Sequence, residues 1–130
     1  MNVYQEDLLD HYENPSNYGT LPNPDISHEE DNPLCGDQIR IDLLVEDDKI
    51  KEVRFSGHGC TISLAAASML TEEIEGKSLD EVKQLTKDDI LDMIGIPLGP
   101  VRLKCALLAL KVLKAGAYGI TSWPGEEDGD

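Results

Sequence analysis

Three cysteines and one aspartate are the residues of this sequence whose types could build a metal centre. The cysteines are Cys35, Cys60 and Cys105, and Asp37 stands close after the first of them. Three thiolates and one carboxylate supply four ligands, which suits tetrahedral Zn²⁺ or a two-iron cluster with one oxygen donor. Thiolates are soft ligands, so Ca²⁺ and Mg²⁺ are disfavoured. The spacing matches no compact zinc ribbon, and buried structural cysteines remain an alternative at this point.

Each cysteine lies at the edge of a predicted element, where functional sites tend to be built. Cys35 precedes a predicted strand, Cys60 ends a second strand and begins a helix, and Cys105 lies in the opening turns of the last helix. The start of a helix stabilises negative charge, which suits a thiolate at Cys60 or Cys105. In an extended segment Cys35 and Asp37 point the same way, and Gly36 between them adds no bulk. We therefore expect the four side chains to face one centre.

Two neighbours of these cysteines are further candidates. His58 stands close before Cys60, and imidazole is a common metal ligand, although a histidine that only contacts the ligands or faces solvent in a loop is the stronger alternative. Lys104 directly precedes Cys105 and either assists chemistry at that thiol or is a solvated helix charge.

The N-terminal half of the chain is predicted to form a helix, a loop and a hairpin. Apolar residues at helical spacing over 3–12 predict an amphipathic helix, which Pro15 prevents from continuing. Prolines make 20–33 an irregular loop. Alternating apolar residues over 39–45, followed by a second apolar run over 50–55, predict an antiparallel hairpin.

The C-terminal half is predicted to be helical. The predicted helices cover 62–70, 79–85, 90–94 and 101–115. Gly76, Gly95 and Gly116 are predicted to stop three of them, and Ser78 with Glu81 has the spacing of a capping box. Because strands come first and most helices later, the sequence indicates an α+β fold.

The charge balance excludes some partners. Twenty-six acidic and eleven basic residues give a formal net charge of −15, which repels nucleic acid and anionic membrane surfaces. No apolar run approaches the ~20 residues that span a bilayer, and the acidic start lacks the plan of a secretory signal, so we expect a cytoplasmic protein. The acidic residues 124–130 are predicted to be a disordered tail after a single domain over 1–123.

Four segments together resemble the family of U-type iron–sulfur cluster assembly scaffolds, over nearly the whole chain. They are Asp10-His11-Tyr12-Glu13-Asn14-Pro15, Asn32-Pro33-Leu34-Cys35-Gly36-Asp37, Gly57-His58-Gly59-Cys60-Thr61-Ile62-Ser63 and Arg102-Leu103-Lys104-Cys105-Ala106. The resemblance implies that Cys35, Asp37, Cys60 and Cys105 match the family's ligand positions. It also implies a small antiparallel sheet of about three strands packed against about five helices.

The function implied by the resemblance is assembly of a two-iron cluster ([2Fe-2S]). Sulfur would come from a cysteine desulfurase, with Cys105 as the persulfide acceptor, and the cluster would pass to recipient or carrier proteins. Asp37 would keep one edge of the cluster labile, because a carboxylate binds soft centres less tightly than a thiolate does. Zn²⁺ or Fe²⁺ are alternative occupants, and a homodimer or higher oligomer around a shared cluster stays open.

Two departures from the better-known scaffold branch leave an alternative function open. Lys104 stands where that branch carries a histidine, and it resembles the branch of zinc-dependent sulfur acceptors that activate a cysteine desulfurase. The short span from Cys60 to Cys105 resembles the scaffold branch instead, so we favour a non-enzymatic scaffold over a sulfurtransferase. Residues 98–102, Leu-Gly-Pro-Val-Arg, differ from the Leu-Pro-Pro-Val-Lys segment read by a dedicated chaperone, so such a chaperone is not implied.

Overall fold

The computed structural model describes residues 3–32, 36–120 and 122–125, and within them the chain forms a three-stranded sheet and five helices. In chain order these are α1 (Val3–Glu13), β1 (Ile26–Asn32), β2 (Asp37–Glu46), β3 (Lys49–His58), α2 (Thr61–Ile74), α3 (Leu79–Lys83), α4 (Lys87–Ile94) and α5 (Pro100–Tyr118). The strands lie in the order β1-β2-β3, and both pairings are antiparallel. The predicted α+β class, with its small antiparallel sheet, is confirmed.

The hairpin of β2 and β3 forms where the alternating pattern predicts it. Ile41 pairs with Phe55, and both side chains are buried in the core. Asp47 and Asp48 form the turn with φ values of 54° and 62°, the left-handed conformation that a tight hairpin turn requires. The hairpin therefore returns the end of β3 to the start of β2.

Strand β1 corrects the prediction of an irregular loop over 20–33. It pairs with β2 along its whole length, from Ile26 opposite Leu43 to Asn32 opposite Asp37. Most of its residues are polar because it is an edge strand, so the apolar alternation that reveals a strand is absent. Backbone pairing and contact with α5 hold it instead.

Helix α5 also departs from the prediction, because it runs past Gly116 to Tyr118 and is capped by Gly119. A Cβ atom on Gly116 would lie 2.9 Å from Cβ of His28 and 3.3 Å from Cγ2 of Ile26. Gly116 therefore lets β1 approach the helix, while Gly119, with a φ of 70°, provides the left-handed C-terminal cap. A glycine needed for packing looks like a helix stop in the sequence alone.

Helices α1 and α3 lie within two residues of their predicted limits, whereas α2 continues to Ile74 and α4 begins at Lys87, three residues before its predicted start. Helix α2 packs its small residues against α5 in the core, and α1 packs on α2. The predicted capping box at Ser78 is present, and Thr86 forms a second one with Asp89 at the start of α4. No helix in the described part of the chain has the length and apolar character needed to cross a membrane.

A buried carboxylate fastens the segment before β1 to the sheet. Burial alone would raise the pKa of Asp42, but hydrogen bonds from Arg40, Ser27 and the backbone of Leu21 outweigh it and hold the pKa below its usual range. Arg40 Nε and Ser27 Oγ donate to Asp42 Oδ1 over 2.9 and 2.7 Å, and the N–H of Leu21 donates to Oδ2 over 3.1 Å. Asp42 is therefore ionised in the folded protein at neutral pH.

Candidate metal centre

The fold brings together three of the four residues predicted as ligands. Asp37 begins β2, Cys60 directly precedes α2, and Cys105 lies in the second turn of α5. One ligand atom of each, a carboxylate oxygen or a sulfur, lies within 4.8 Å of the other two. Cys35 lies outside the described residues, so its place in the site stays a prediction.

Asp37 lies at the N-terminal end of α2. The N–H of Cys60 donates a hydrogen bond to Asp37 Oδ1 over 2.9 Å. Cys60 is the N-cap residue of α2 and makes no side-chain capping bond, and the carboxylate of Asp37 in β2 accepts from its backbone N–H, as the N3 side chain of a capping box would. Asp37 is only 2% exposed, and the dipole of α2 stabilises its charge there.

Two buried polar side chains complete the surroundings of the site, and neither was singled out as a site residue from the sequence. The hydroxyl of Ser63 in the first turn of α2 donates to Asp37 Oδ2. Nδ2 of Asn32, the last residue of β1, donates to Cys105 Sγ over 3.9 Å. Ser63 stands one helical turn after Cys60, on the same face, and this spacing could have revealed it.

Two glycines shape the approach to Asp37. Gly36, with a φ of 73°, lies in a left-handed turn, so the expectation of an extended segment at this residue is wrong. Its N–H donates to the carbonyl of Asn32 over 2.8 Å. Gly59 faces the carboxylate, and a Cβ atom there would lie 2.7 Å from Asp37 Oδ1 and 2.9 Å from Cγ. Gly59 therefore allows Asp37 to lie against the start of α2.

The variant Gly59→Ala is expected to lower the affinity for Zn²⁺ by at least about 10-fold, because the added methyl displaces Asp37 from the two sulfurs. Competition with a chromophoric chelator measures the affinity. Gly99→Ala is the matched control, since Gly99 precedes α5 and a Cβ atom there meets nothing within 4 Å. Equal affinities for Gly59→Ala and the wild type would show that Asp37 is not held against Gly59.

The structure places the two further candidates differently. His58 ends β3, is exposed and is not part of the ligand group found among the described residues. The Lys104 ammonium lies 4.5 Å from the centre of the Trp123 ring, and that of Lys111 lies 5.3 Å from it. Lys104 is thus engaged by the segment 122–125, which returns to the face of α5, and its assistance to Cys105 stays a prediction.

The donor set fits a thiolate-bound metal. Zn²⁺ binds sulfur at about 2.3 Å and a carboxylate oxygen at about 2.1 Å, which puts a sulfur and an oxygen of a tetrahedral site about 3.6 Å apart. Cys60 Sγ already lies 3.8 Å from Asp37 Oδ2. The two sulfurs are soft ligands that select zinc or iron–sulfur centres over hard cations, while the carboxylate oxygen is a hard ligand that zinc and iron also accept. The sheet, the helix starts and the donor atoms together define an α+β protein with a candidate metal-thiolate site.

Comparison with known proteins gives the family. The chain belongs to the family of the NifU-like N terminal domain, whose model matches residues 3–125. It is 36% identical over 131 residues to the zinc-dependent sulfurtransferase SufU of Bacillus subtilis (strain 168), covering 88% of each chain. It is 38% identical over 117 residues to the iron–sulfur cluster assembly scaffold protein IscU of Escherichia coli (strain K12), covering 87% of this chain and 90% of the relative.

A solved structure supports the same assignment. The crystal structure of a putative iron–sulfur cluster assembly scaffold protein for the SUF system from Fervidobacterium islandicum AW-1 superposes with a TM-score of 0.77. It is 26% identical and covers 89% of this chain and 99% of that chain. The predicted membership of the U-type scaffold family is confirmed.

Proposed function

We propose that this protein is a scaffold on which two-iron clusters are assembled and from which they pass to recipient or carrier proteins. The convergence of Asp37, Cys60 and Cys105 within 4.8 Å carries the proposal. Cys35 is the fourth ligand in this proposal. The similarity to a relative named as an assembly scaffold supports it.

The ligand atoms of the site suit a cluster that the protein must later release. Asp37 offers a carboxylate oxygen beside two sulfurs, and oxygen binds soft iron–sulfur centres less tightly than sulfur does. One edge of the cluster is therefore held more weakly than the others. Cys60 is only half-buried, so this edge of the site lies near the surface from which a recipient protein could take the cluster.

Sulfur enters through Cys105 in this proposal, and a cysteine desulfurase is the donor. The Cys105 thiolate attacks the outer sulfur of the donor's cysteine persulfide. A new S–S bond forms on Cys105, the donor's S–S bond breaks, and the donor cysteine leaves as a thiolate. Because Cys105 is 3% exposed, the groups that cover its sulfur must move before a donor protein can reach it. Such chemistry needs reduced thiols, which supports a cytoplasmic location.

A zinc-dependent sulfurtransferase is the second candidate function. The position of Lys104 directly before Cys105 in the sequence favours this function. The similarity to a relative named as a zinc-dependent sulfurtransferase favours it as well. In this alternative Asp37, Cys60 and Cys105 hold Zn²⁺ together with Cys35, and the metal stabilises thiolates at neutral pH. The Lys104 ammonium would then favour negative charge on the neighbouring thiol.

Metal analysis of the wild-type protein tests both candidates. After anaerobic purification without chelator, incubation with iron and sulfide is expected to give a visible chromophore with about two irons per cluster. The sulfurtransferase would be favoured if the protein holds one Zn²⁺ per chain that added iron does not displace. Addition of the protein should then also increase the turnover rate of a cysteine desulfurase. If the protein holds neither zinc nor a cluster, both proposals are wrong.

A further inference from the structure

Ser63 contacts every member of the ligand group that the structure describes. Its hydroxyl donates to Asp37 Oδ2, while Cys60 Sγ lies 3.7 Å from Ser63 Oγ. The carbonyl oxygen of Cys105 lies 3.4 Å from the same hydroxyl. Ser63 is 1% exposed, so water does not compete for these contacts. One buried hydroxyl thus joins β2, α2 and α5 at the candidate metal centre.

The hydroxyl of Ser63 donates its one hydrogen bond to Asp37. A serine hydroxyl donates one hydrogen bond, and a carboxylate is a stronger acceptor than a backbone carbonyl. The contact to Asp37 is also the shortest of the three. The hydroxyl therefore fixes Oδ2, while the N–H of Cys60 fixes Oδ1, and the carboxylate plane of Asp37 is held at both ends.

A carboxylate held in this way can still bind a metal. Two carboxylate oxygens offer about four lone-pair sites, and the hydrogen bonds from Ser63 and from the N–H of Cys60 use one on each oxygen. Oδ2 accepts one hydrogen bond from Ser63 and lies 3.8 Å from Cys60 Sγ, so it keeps lone-pair capacity close to a sulfur of the ligand group. Without the hydroxyl, Oδ2 of Asp37 loses this donor, and its direction relative to the sulfurs is held less firmly.

We propose that Ser63 is a positioning residue of the metal centre, which orients Asp37 so that one carboxylate oxygen faces the sulfurs of Cys60 and Cys105. This inference rests on the proposed function, since it assumes that the three residues bind a metal. It goes beyond the proposed function, because it predicts that a side chain that is not itself a ligand contributes to the affinity for the metal. Groups of this kind typically change metal affinity by about 10- to 100-fold.

The test compares three serine variants with the wild type, with Zn²⁺ alone as the probe. Ser63→Ala is expected to lower the affinity by about 10- to 100-fold, and Ser63→Thr, which keeps the hydroxyl, should recover most of it. Ser68→Ala is the matched control, because Ser68 is also buried in α2 but bonds to His11 and to the backbone of Ser16. Its affinity should equal that of the wild type.

Chelator competition at a temperature well below unfolding gives the affinities, and melting of the metal-free variants reports stability separately. Equal loss of affinity in Ser63→Ala and Ser68→Ala would overturn the inference, because it would reflect general loosening of α2. An unchanged affinity in Ser63→Ala would overturn it as well. If the wild type itself binds no Zn²⁺ and no cluster, the proposed function is wrong and the inference falls with it.

Discussion

Replacing Cys60 by alanine is expected to lower the affinity for Zn²⁺ by about 100- to 1,000-fold. A four-ligand zinc site contributes about 10–16 kcal/mol, so one ligand accounts for about 2.5–4 kcal/mol. Cys60 Sγ belongs to the group of atoms within 4.8 Å of one another, and its loss removes a soft donor that the carboxylate of Asp37 cannot replace. Competition with a chelator of known affinity measures the change, and cluster reconstitution should fail in the same variant.

Thr61→Ala is the matched control for Cys60→Ala. Thr61 is the next residue, begins α2 and is half-buried like Cys60, but is not part of the ligand group. Its variant should bind Zn²⁺ as tightly as the wild type does. A loss smaller than about 10-fold in Cys60→Ala, equal to about 1.4 kcal/mol, would mean that Cys60 is not a ligand.

Gly57→Ala is expected to lower the free energy of unfolding by about 3 kcal/mol or more, from backbone strain together with a steric clash. Gly57 lies in β3 with a φ of 137°, which L-residues rarely adopt. A Cβ atom there would lie 2.0 Å from the carbonyl oxygen of Gln38 and 3.2 Å from Cα of Ile39. These are backbone atoms of the paired strand and cannot turn aside. Urea unfolding of the metal-free protein measures the loss.

Gly76→Ala separates the two causes. Gly76 also has a positive φ, of 88°, but a Cβ atom there meets nothing within 4 Å. Its variant should lose only about 1 kcal/mol, the usual cost of left-handed backbone for an L-residue. If Gly57→Ala and Gly76→Ala lower the free energy of unfolding equally, the steric clash with β2 costs nothing and the predicted difference is wrong.

Local patterns in the sequence predicted the elements whose stability is local or whose burial is regular. The alternation in β2 and β3 is visible because one face of the hairpin is buried in the core. The capping box at Ser78 is visible because its two bonds join residues one turn apart. Strand β1 escaped the prediction because most of its residues are polar and show no apolar alternation, and the length of α5 did so because Gly116 is needed for packing.

The candidate site was predicted in part for the same reason. Cysteine and aspartate are residue types that bind metals, so Asp37, Cys60 and Cys105 could be predicted as ligands from the sequence alone. Ser63 and Gly59 carry no such chemical mark. Their importance lies in a distance to Asp37, which is more than twenty residues away in the chain.

By itself, the sequence determined the class of fold, the family and the identity of the candidate ligands. These depend on residue type and short-range periodicity, which any conformation of the chain carries. Only the tertiary structure decided that Asp37 meets the start of α2, that Gly59 leaves room for it and that Ser63 holds its second oxygen. Such contacts exist only after the hairpin has paired and α2 has packed against it, because pairing and packing set the distances between residues far apart in sequence.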